Sequence, residues 1–149
     1  MKAGRTRRGA RSGTKAAMIA AAMLLAACRM EHRSIAADVD PEEWCEPAEL
    51  VLPNADTLAR CDLSLFLRYD PRFREDTLTL RIEVRTPDSL SHTETFLFCA
   101  APERRPPAIH GETAVPYRRR AVFGQRGDYR FLIAPVRPTA GVEAVGLYV

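Results

Sequence analysis

Apolar and polar residues alternate along two long segments of the chain. In residues 77–85 every second side chain is apolar: Leu78, Leu80, Ile82 and Val84. Residues 61–69 repeat the pattern with Leu63, Leu65, Leu67 and Tyr69. A period of two is typical of a strand with one buried and one exposed face. We therefore predict two antiparallel strands, joined by a hairpin-length connection, with these apolar side chains in the core.

Turn-forming residues divide the rest of the chain into further short strands. These are predicted over residues 50–52, 93–99, 117–123, 128–136 and 142–149. Residues 100–116 contain four prolines and are predicted to form a long loop. No stretch of a dozen residues after position 30 has a clear helical period. Seven short strands predict an all-β domain, either an antiparallel β-sandwich or a jelly roll.

The first 27 residues resemble a secretory leader. Residues 1–15 are basic, and residues 16–27 form an apolar run that is shorter than the about 20 residues of a transmembrane helix. The run ends in Leu25-Ala26-Ala27-Cys28, which resembles the bacterial lipobox. We predict a lipoprotein signal peptide over residues 1–27, with Cys28 acylated by palmitate-type chains that anchor the protein in membrane lipid. The alternative is an ordinary signal peptide that happens to end before a cysteine.

The predicted leader accounts for the basic character of the chain. The formal net charge of +3 comes from 22 basic and 19 acidic residues. Residues 1–27 contain six of the basic residues and no acidic one, so the remaining chain has a net charge of −3. A weakly acidic chain has no general electrostatic attraction to nucleic acid, so we expect no nucleic-acid partner.

The mature chain divides into a polar tether over residues 28–41 and a β-sandwich domain over residues 42–149. Acidic residues are sparse directly after Cys28, since Glu31 is the only one among the next five residues. This scarcity disfavours export to the cell surface. We therefore expect a protein of the cell envelope that is lipid-anchored in the outer membrane and faces the periplasm.

The predicted domain contains three cysteines: Cys45, Cys61 and Cys99. Their spacing matches no Cys-x-x-Cys metal or redox motif. An oxidising compartment would allow one disulfide, for which Cys45 and Cys61 are the preferred pair because one loop separates them. Each cysteine could equally be a small buried apolar residue.

The sequence contains no evident catalytic or metal-binding constellation. Its three histidines are His32, His92 and His110. None has another histidine or cysteine at metal-ligand spacing. Asp70, Glu75 and Asp76 lie near one predicted hairpin tip, but arginines alternate with them, which favours a solvated turn over a calcium site. We expect a non-enzymatic protein with no catalytic residues, no metal and no cofactor.

The segment Tyr117-Arg118-Arg119-Arg120 is the candidate partner-binding site. In a regular strand, Arg119 would lie on the same side as Tyr117. The arginines could contact an anionic surface or a protein partner. They could equally protect an edge strand from aggregation.

Carbohydrate binding is the alternative function. Some β-sandwiches bind sugars on an aromatic platform, which here would consist of Phe66, Phe73, Tyr117 and Phe123. Trp44, the only tryptophan, would either stack on a sugar or fill one end of the core.

Several segments resemble the gliding motility lipoprotein family GldH of Bacteroidetes. Residues 127–133, Gly-Asp-Tyr-Arg-Phe-Leu-Ile, are similar to a Gly-x-Tyr-x-Phe-x-Ile strand of that family. Residues 141–149 resemble its terminal strand, and residues 63–69 and 78–82 resemble its paired central strands. Residues 87–95 resemble its turn into the next strand. The chain departs from the family pattern at residues 100–107 and 135–138, which are predicted loops.

The resemblance implies an all-β lipoprotein associated with gliding motility and its linked secretion machinery. It implies no catalytic activity, and it implies other envelope proteins as partners. Because binding specificity usually resides in loops, the departures concern the details of partner binding.

Overall fold

A computed structural model describes residues 33–100 and 109–149 of the chain. The strands in this part are β1 (Ser34–Asp38), β2 (Ala48–Asn54), β3 (Arg60–Tyr69), β4 (Thr77–Arg85), β5 (Ser91–Cys99), β6 (Gly111–Val122), β7 (Gly127–Pro135) and β8 (Val142–Tyr148). These residues form no helix, so this part of the chain contains no helix that is long and apolar enough to cross a membrane. The predicted all-β fold is confirmed.

The strands form two antiparallel four-stranded sheets that pack together as a β-sandwich. The first sheet has the order β1-β8-β3-β6, and the second has the order β2-β7-β4-β5. Only β4 and β5 are adjacent both along the chain and within a sheet, so the other connections cross between the sheets. The predicted pairing of β3 with β4 as a hairpin is therefore wrong, because the two strands lie in opposite sheets.

The alternating apolar side chains fill the space between the sheets, as predicted. Leu65 and Leu67 of β3, and Leu80 and Ile82 of β4, are completely inaccessible to solvent. Burial of each such side chain stabilises the fold by about 1.5–3 kcal/mol relative to exposure. Trp44 is only 1% exposed and its indole N–H donates to the carbonyl of Glu46 at 2.8 Å, so it fills the end of the core.

Two boundaries differ most from the predictions. Residues 34–38, expected in the tether, form β1 and pair with β8 at five positions, so the domain begins before residue 42. Likewise β6 begins at Gly111, inside the predicted loop over residues 100–116. Pro116 is tolerated there because β6 is an edge strand, which needs hydrogen bonds on one side only. Residues 101–108 of that loop lie outside the described part of the chain.

The strand directions define two ends of the sandwich. The upper end is the one at which β1 begins and β8 ends, and there Arg33 and Val149 exchange two backbone hydrogen bonds of 3.3 and 2.8 Å. The connections at the upper end are residues 55–59, 86–90 and 123–126. The described connections at the lower end are residues 39–47, 70–76 and 136–141.

Candidate interaction site between the two edge strands

The edge strands β5 and β6, one from each sheet, lie on the same side of the sandwich. Phe96 of β5 and Tyr117 of β6 meet there in an edge-to-face contact, with ring centroids 5.3 Å apart. On the opposite side of the sandwich β1 packs against β2. The segment Tyr117-Arg118-Arg119-Arg120 therefore lies where two sheet edges face each other. Its position on an edge strand, which the interpretation of the arginines as protection from aggregation requires, is confirmed.

A carboxylate on β5 joins these two edges. Glu94 alternates with Phe96 and Phe98 and thus points towards the other sheet. Its carboxylate accepts a hydrogen bond from the Tyr117 hydroxyl and forms an ion pair with the Arg118 guanidinium. The guanidinium also lies over the Tyr117 ring, 4.7 Å from the centroid, which is a cation–π contact. An inward-pointing charge also protects an edge strand from pairing with other chains.

Tyr117 keeps its proton in this setting. The side chain is buried, and burial is the main cause that raises the pKa of Tyr117 above its ordinary value. The hydrogen bond to the Glu94 carboxylate raises this pKa further, because an ionised phenol would face a second anion. The hydroxyl therefore acts as a donor to Glu94.

Irregular pairing between β3 and β6 places Arg118 beside Tyr117. Ser64 opposes Pro116 and Leu63 opposes Arg118, so Tyr117 is an extra residue on β6. Such a β-bulge redirects the side chains that follow it. It is therefore Arg118 that shares the partner of Tyr117, which a regular strand does not predict.

The backbone is irregular at the next position as well. Arg120 has a positive φ of 54°, and its N–H donates to the carboxylate of Asp62 at 2.6 Å. Arg119 and Arg120 are exposed, and no ion pair within residues 33–100 and 109–149 involves their side chains. Of the three arginines, one is thus bound to Glu94 and two are available for an external partner.

An apolar cavity of about 380 Å³ opens between the edge strands near the upper end. Its apolar wall is formed by Leu63, Val84, Leu90, Val122, Phe123 and Phe131. Glu94, Tyr117, Arg118 and His92 supply its polar groups. Its volume lies at the lower end of the range of about 300–1,000 Å³ for ligand pockets, so it suits one large apolar side chain or a short apolar chain. No pattern in the sequence indicates this cavity, because its wall comes from four strands and two of the connections between them.

A larger depression of about 780 Å³ lies at the upper end of the second sheet and is mainly polar. Two of its arginines are already paired, Arg85 with Glu83 at 2.7 Å and Arg130 with Glu49 at 2.6 Å. Exposed pairs of this kind contribute little free energy. The depression therefore offers less to a ligand than the apolar cavity does.

The predicted hairpin tip holds no metal site among the described residues. Arg72 donates to both carboxylate oxygens of Asp70, and Arg137 pairs with Glu75 at 2.7 Å. Asp70 is buried, so the interpretation of a solvated turn is wrong for this residue. The described part of the chain contains no group of three or more His, Cys, Asp or Glu residues that could bind a metal ion.

The described histidines lie in separate surroundings. His110 contacts the carboxylate of Glu143 at 2.8 Å in an exposed position, whereas His92 lines the cavity. His32 lies outside the described residues, as does Cys28. The prediction of lipidation at Cys28 therefore stays a prediction.

The aromatic platform predicted for sugar binding does not exist. Phe66, Phe73 and Tyr117 are buried, and Phe123 is packed edge-to-face against Tyr129 with centroids 4.7 Å apart. A sugar platform needs several exposed aromatic faces, whereas three of these side chains are buried and Phe123 is half-buried.

The preferred disulfide is also absent from the described residues. Cys45, Cys61 and Cys99 are all free thiols. Cys45 and Cys99 are exposed, so the interpretation as small buried apolar residues is wrong for these two. Cys61 is partly buried, and burial raises the pKa of its thiol.

Comparison of the chain with protein-family models, with curated proteins and with solved structures gave no match.

Proposed function

We propose that this protein is a lipid-anchored, non-enzymatic component of the cell envelope that acts by binding other envelope proteins. Cys28 would carry the acyl anchor in the outer membrane, and the β-sandwich would face the periplasm. The lipobox supports the anchor, and the resemblance to the GldH family supports a place in the gliding motility and associated secretion machinery.

One observation carries the binding role. Two exposed arginines without an ion pair in the described residues, Arg119 and Arg120, stand on an edge strand beside an apolar cavity. Arginine and aromatic residues around an apolar pocket are typical of the residues that dominate the free energy of protein–protein binding. Arg118 has a structural role at Glu94, so we assign partner contacts to Arg119 and Arg120 in the first place.

Affinity purification from native envelopes with mass spectrometry tests this proposal. The test variant is Arg119→Ala combined with Arg120→Asn, because asparagine tolerates the positive φ at position 120. The matched control is Arg74→Asn with Arg81→Ala, two exposed arginines elsewhere on the domain. We expect recovery of the partners to fall about tenfold or more for the test variant alone, since interface arginines contribute more than about 1 kcal/mol each.

Two results would contradict the proposal. Equal recovery with both variants would move the interface away from β6. Partners that are unrelated to gliding or secretion would remove the assignment to that machinery.

A further inference from the structure

The chain reaches the folded domain at the upper end, because β1 begins there. In the proposed function, on which this inference rests, acylated Cys28 lies five residues before Arg33. Five residues span at most about 17 Å even when fully extended. The bilayer surface must therefore lie within about 17 Å of the start of β1, which is at the upper end.

Large apolar side chains are exposed at three separate places of this end. Leu58 in the first connection is 85% exposed, Leu90 in the second is 66% exposed, and Val122 at the end of β6 is 51% exposed. Leu90 and Val122 also line the apolar cavity, which thus opens at the same end. Single exposed apolar residues are common on soluble proteins, but several on one end form a candidate contact surface.

Hydrogen bonds hold these connections together as one surface. The Asn54 side-chain amide donates to the carbonyls of Phe123 and Gln125 at 2.8 and 2.7 Å. The Gln125 side chain in turn donates to the Asp88 carboxylate at 2.7 Å. The three connections are therefore tied to one another, and their apolar side chains are presented in a fixed arrangement.

The charges at the two ends differ in the direction that favours the upper end. Asp56, Asp62 and Asp88 of the upper end each accept hydrogen bonds from the domain itself. The three connections of the upper end carry two carboxylates and one arginine, and Arg33, Arg60, Arg119, Arg120 and Asp128 stand beside them. The described connections of the lower end carry seven carboxylates against three arginines. The lower end also exposes Ile109 and Val136, but its excess of negative charge opposes contact with anionic lipid.

We propose that the upper end is a membrane-contact face that inserts Leu58, Leu90 and Val122 into the interfacial region of the phospholipid bilayer. Arg60 and Arg126 then lie at the level of the lipid phosphates, whereas Arg119 and Arg120 on β6 stay available to the protein partner. The mouth of the apolar cavity lies at the lipid surface, so that side chains or acyl chains can pass into it without crossing water.

Tryptophan reporters in the full-length lipoprotein test this proposal. The test variant is Leu90→Trp and the matched control is Val136→Trp, which is 62% exposed at the lower end. Each protein is reconstituted into vesicles of phosphatidylethanolamine and phosphatidylglycerol that contain phosphatidylcholine brominated at carbons 6 and 7 of one acyl chain. Buried Trp44 at the lower end serves as the constant background in both proteins.

We expect the bromines to reduce the fluorescence of the Leu90→Trp reporter about twofold, because inserted side chains reach about 5–10 Å into the boundary of the acyl chains. The Val136→Trp reporter should keep its fluorescence, and aqueous iodide should quench it much more strongly than the Leu90→Trp reporter. A Leu58→Trp variant repeats the test at a second connection, so that a folding defect in one variant does not decide the outcome.

Each other result overturns the inference in a recognisable way. Protein that stays on the vesicles without bromine quenching at positions 58 and 90 leaves the anchor intact and removes the contact face. Equal quenching at positions 90 and 136 shows no preferred orientation. Shielding of position 90 from iodide without bromine quenching assigns the face to a protein neighbour. Protein that does not stay on the vesicles refutes the anchor and the inference together.

Discussion

The hydroxyl of Tyr117 donates a hydrogen bond to the carboxylate of Glu94, and this bond joins the edge strands of two different sheets. The other side of the sandwich is closed differently, by packing of β1 against β2 and by a hydrogen bond from the Arg33 side chain to the carbonyl of Pro53 at 3.1 Å. The side with the candidate site is thus held by polar contacts around an apolar cavity, an arrangement that permits binding without exposing the whole core.

Replacement of Tyr117 by phenylalanine should weaken this side of the domain. The change removes a hydrogen bond to a partly buried carboxylate, which we expect to lower the free energy of unfolding by about 1–2 kcal/mol. Urea denaturation measures the difference. The matched control is Tyr148→Phe, whose hydroxyl donates to the more exposed Glu112, and its effect should be smaller. An equal or larger loss in the control would show that the Glu94 contact has no special weight.

Protonation of Asp70 should make the domain sensitive to acid. Hydrogen bonds from Arg72 hold the pKa of Asp70 below its ordinary value. Because the native carboxyl binds its proton less readily than the unfolded one, its stabilising effect is complete above the unfolded pKa of about 3.9 and is lost as the pH falls through the native pKa. Urea denaturation between pH 6 and acidic pH should show a shallower decline for Asp70→Asn than for the wild type. The exposed neighbour variant Asp76→Asn should decline as the wild type does.

A charge in the centre of the sandwich should prevent folding. Leu80 is completely inaccessible, and an unpaired buried carboxylate costs several kcal/mol against a total stability of about 5–15 kcal/mol. Leu80→Asp should therefore lose its β-type circular dichroism. Thr79→Asp, one residue earlier on the outer face of the same strand, should fold. Folding of the Leu80 variant would contradict the assignment of the core.

Removal of β1 should destabilise the domain even though the sequence predicts a tether there. A chain that begins at His32 retains β1, whereas one that begins at Pro41 leaves β8 as an exposed edge. We expect the shorter chain to unfold at lower urea and to aggregate, because unpaired edges pair with other chains. Equal midpoints and equal solubility would show that β1 adds nothing.

Replacement of Cys28 by serine should abolish lipidation, because the thiol is the acyl acceptor in a lipobox. Incorporation of labelled palmitate in cells measures this. Cys45→Ser, which changes an exposed thiol of the folded domain, should retain the label. Label on the Cys28→Ser protein would refute the predicted anchor.

The alternation of apolar residues predicted the core strands and their buried faces correctly. Leu80 and Ile82 stand in a strict period of two, and burial of one face leaves the strand only one register. Strand β1 escaped prediction because Ser34–Asp38 is short, and only Ile35 and Ala37 are half-buried while the other three side chains are exposed. The pattern does not indicate whether β3 and β4 form a hairpin in one sheet or lie in opposite sheets. Each strand has one buried face in both arrangements.

The candidate site could be predicted only in part. Tyr117 and its arginines were recognised by their composition, but the side taken by each arginine depends on the bulges opposite Leu63 and Cys61. A bulge adds one residue without changing the hydrophobic pattern. The partner Glu94 comes from a strand in the other sheet. A carboxylate that points towards the core can be accommodated there because β5 is an edge strand.

The place of β1 in the fold has a mechanical consequence. A protein held at Cys28 would receive any pull from the membrane at the start of β1, and a pull directed away from the upper end acts along the axis of that strand. The five residue pairs between β1 and β8 would then be loaded together in shear, instead of opening one after another like a zipper. Shear loading distributes the force over all the hydrogen bonds of the pair, so this attachment suits a domain that has to resist tension between the bilayer and a moving partner.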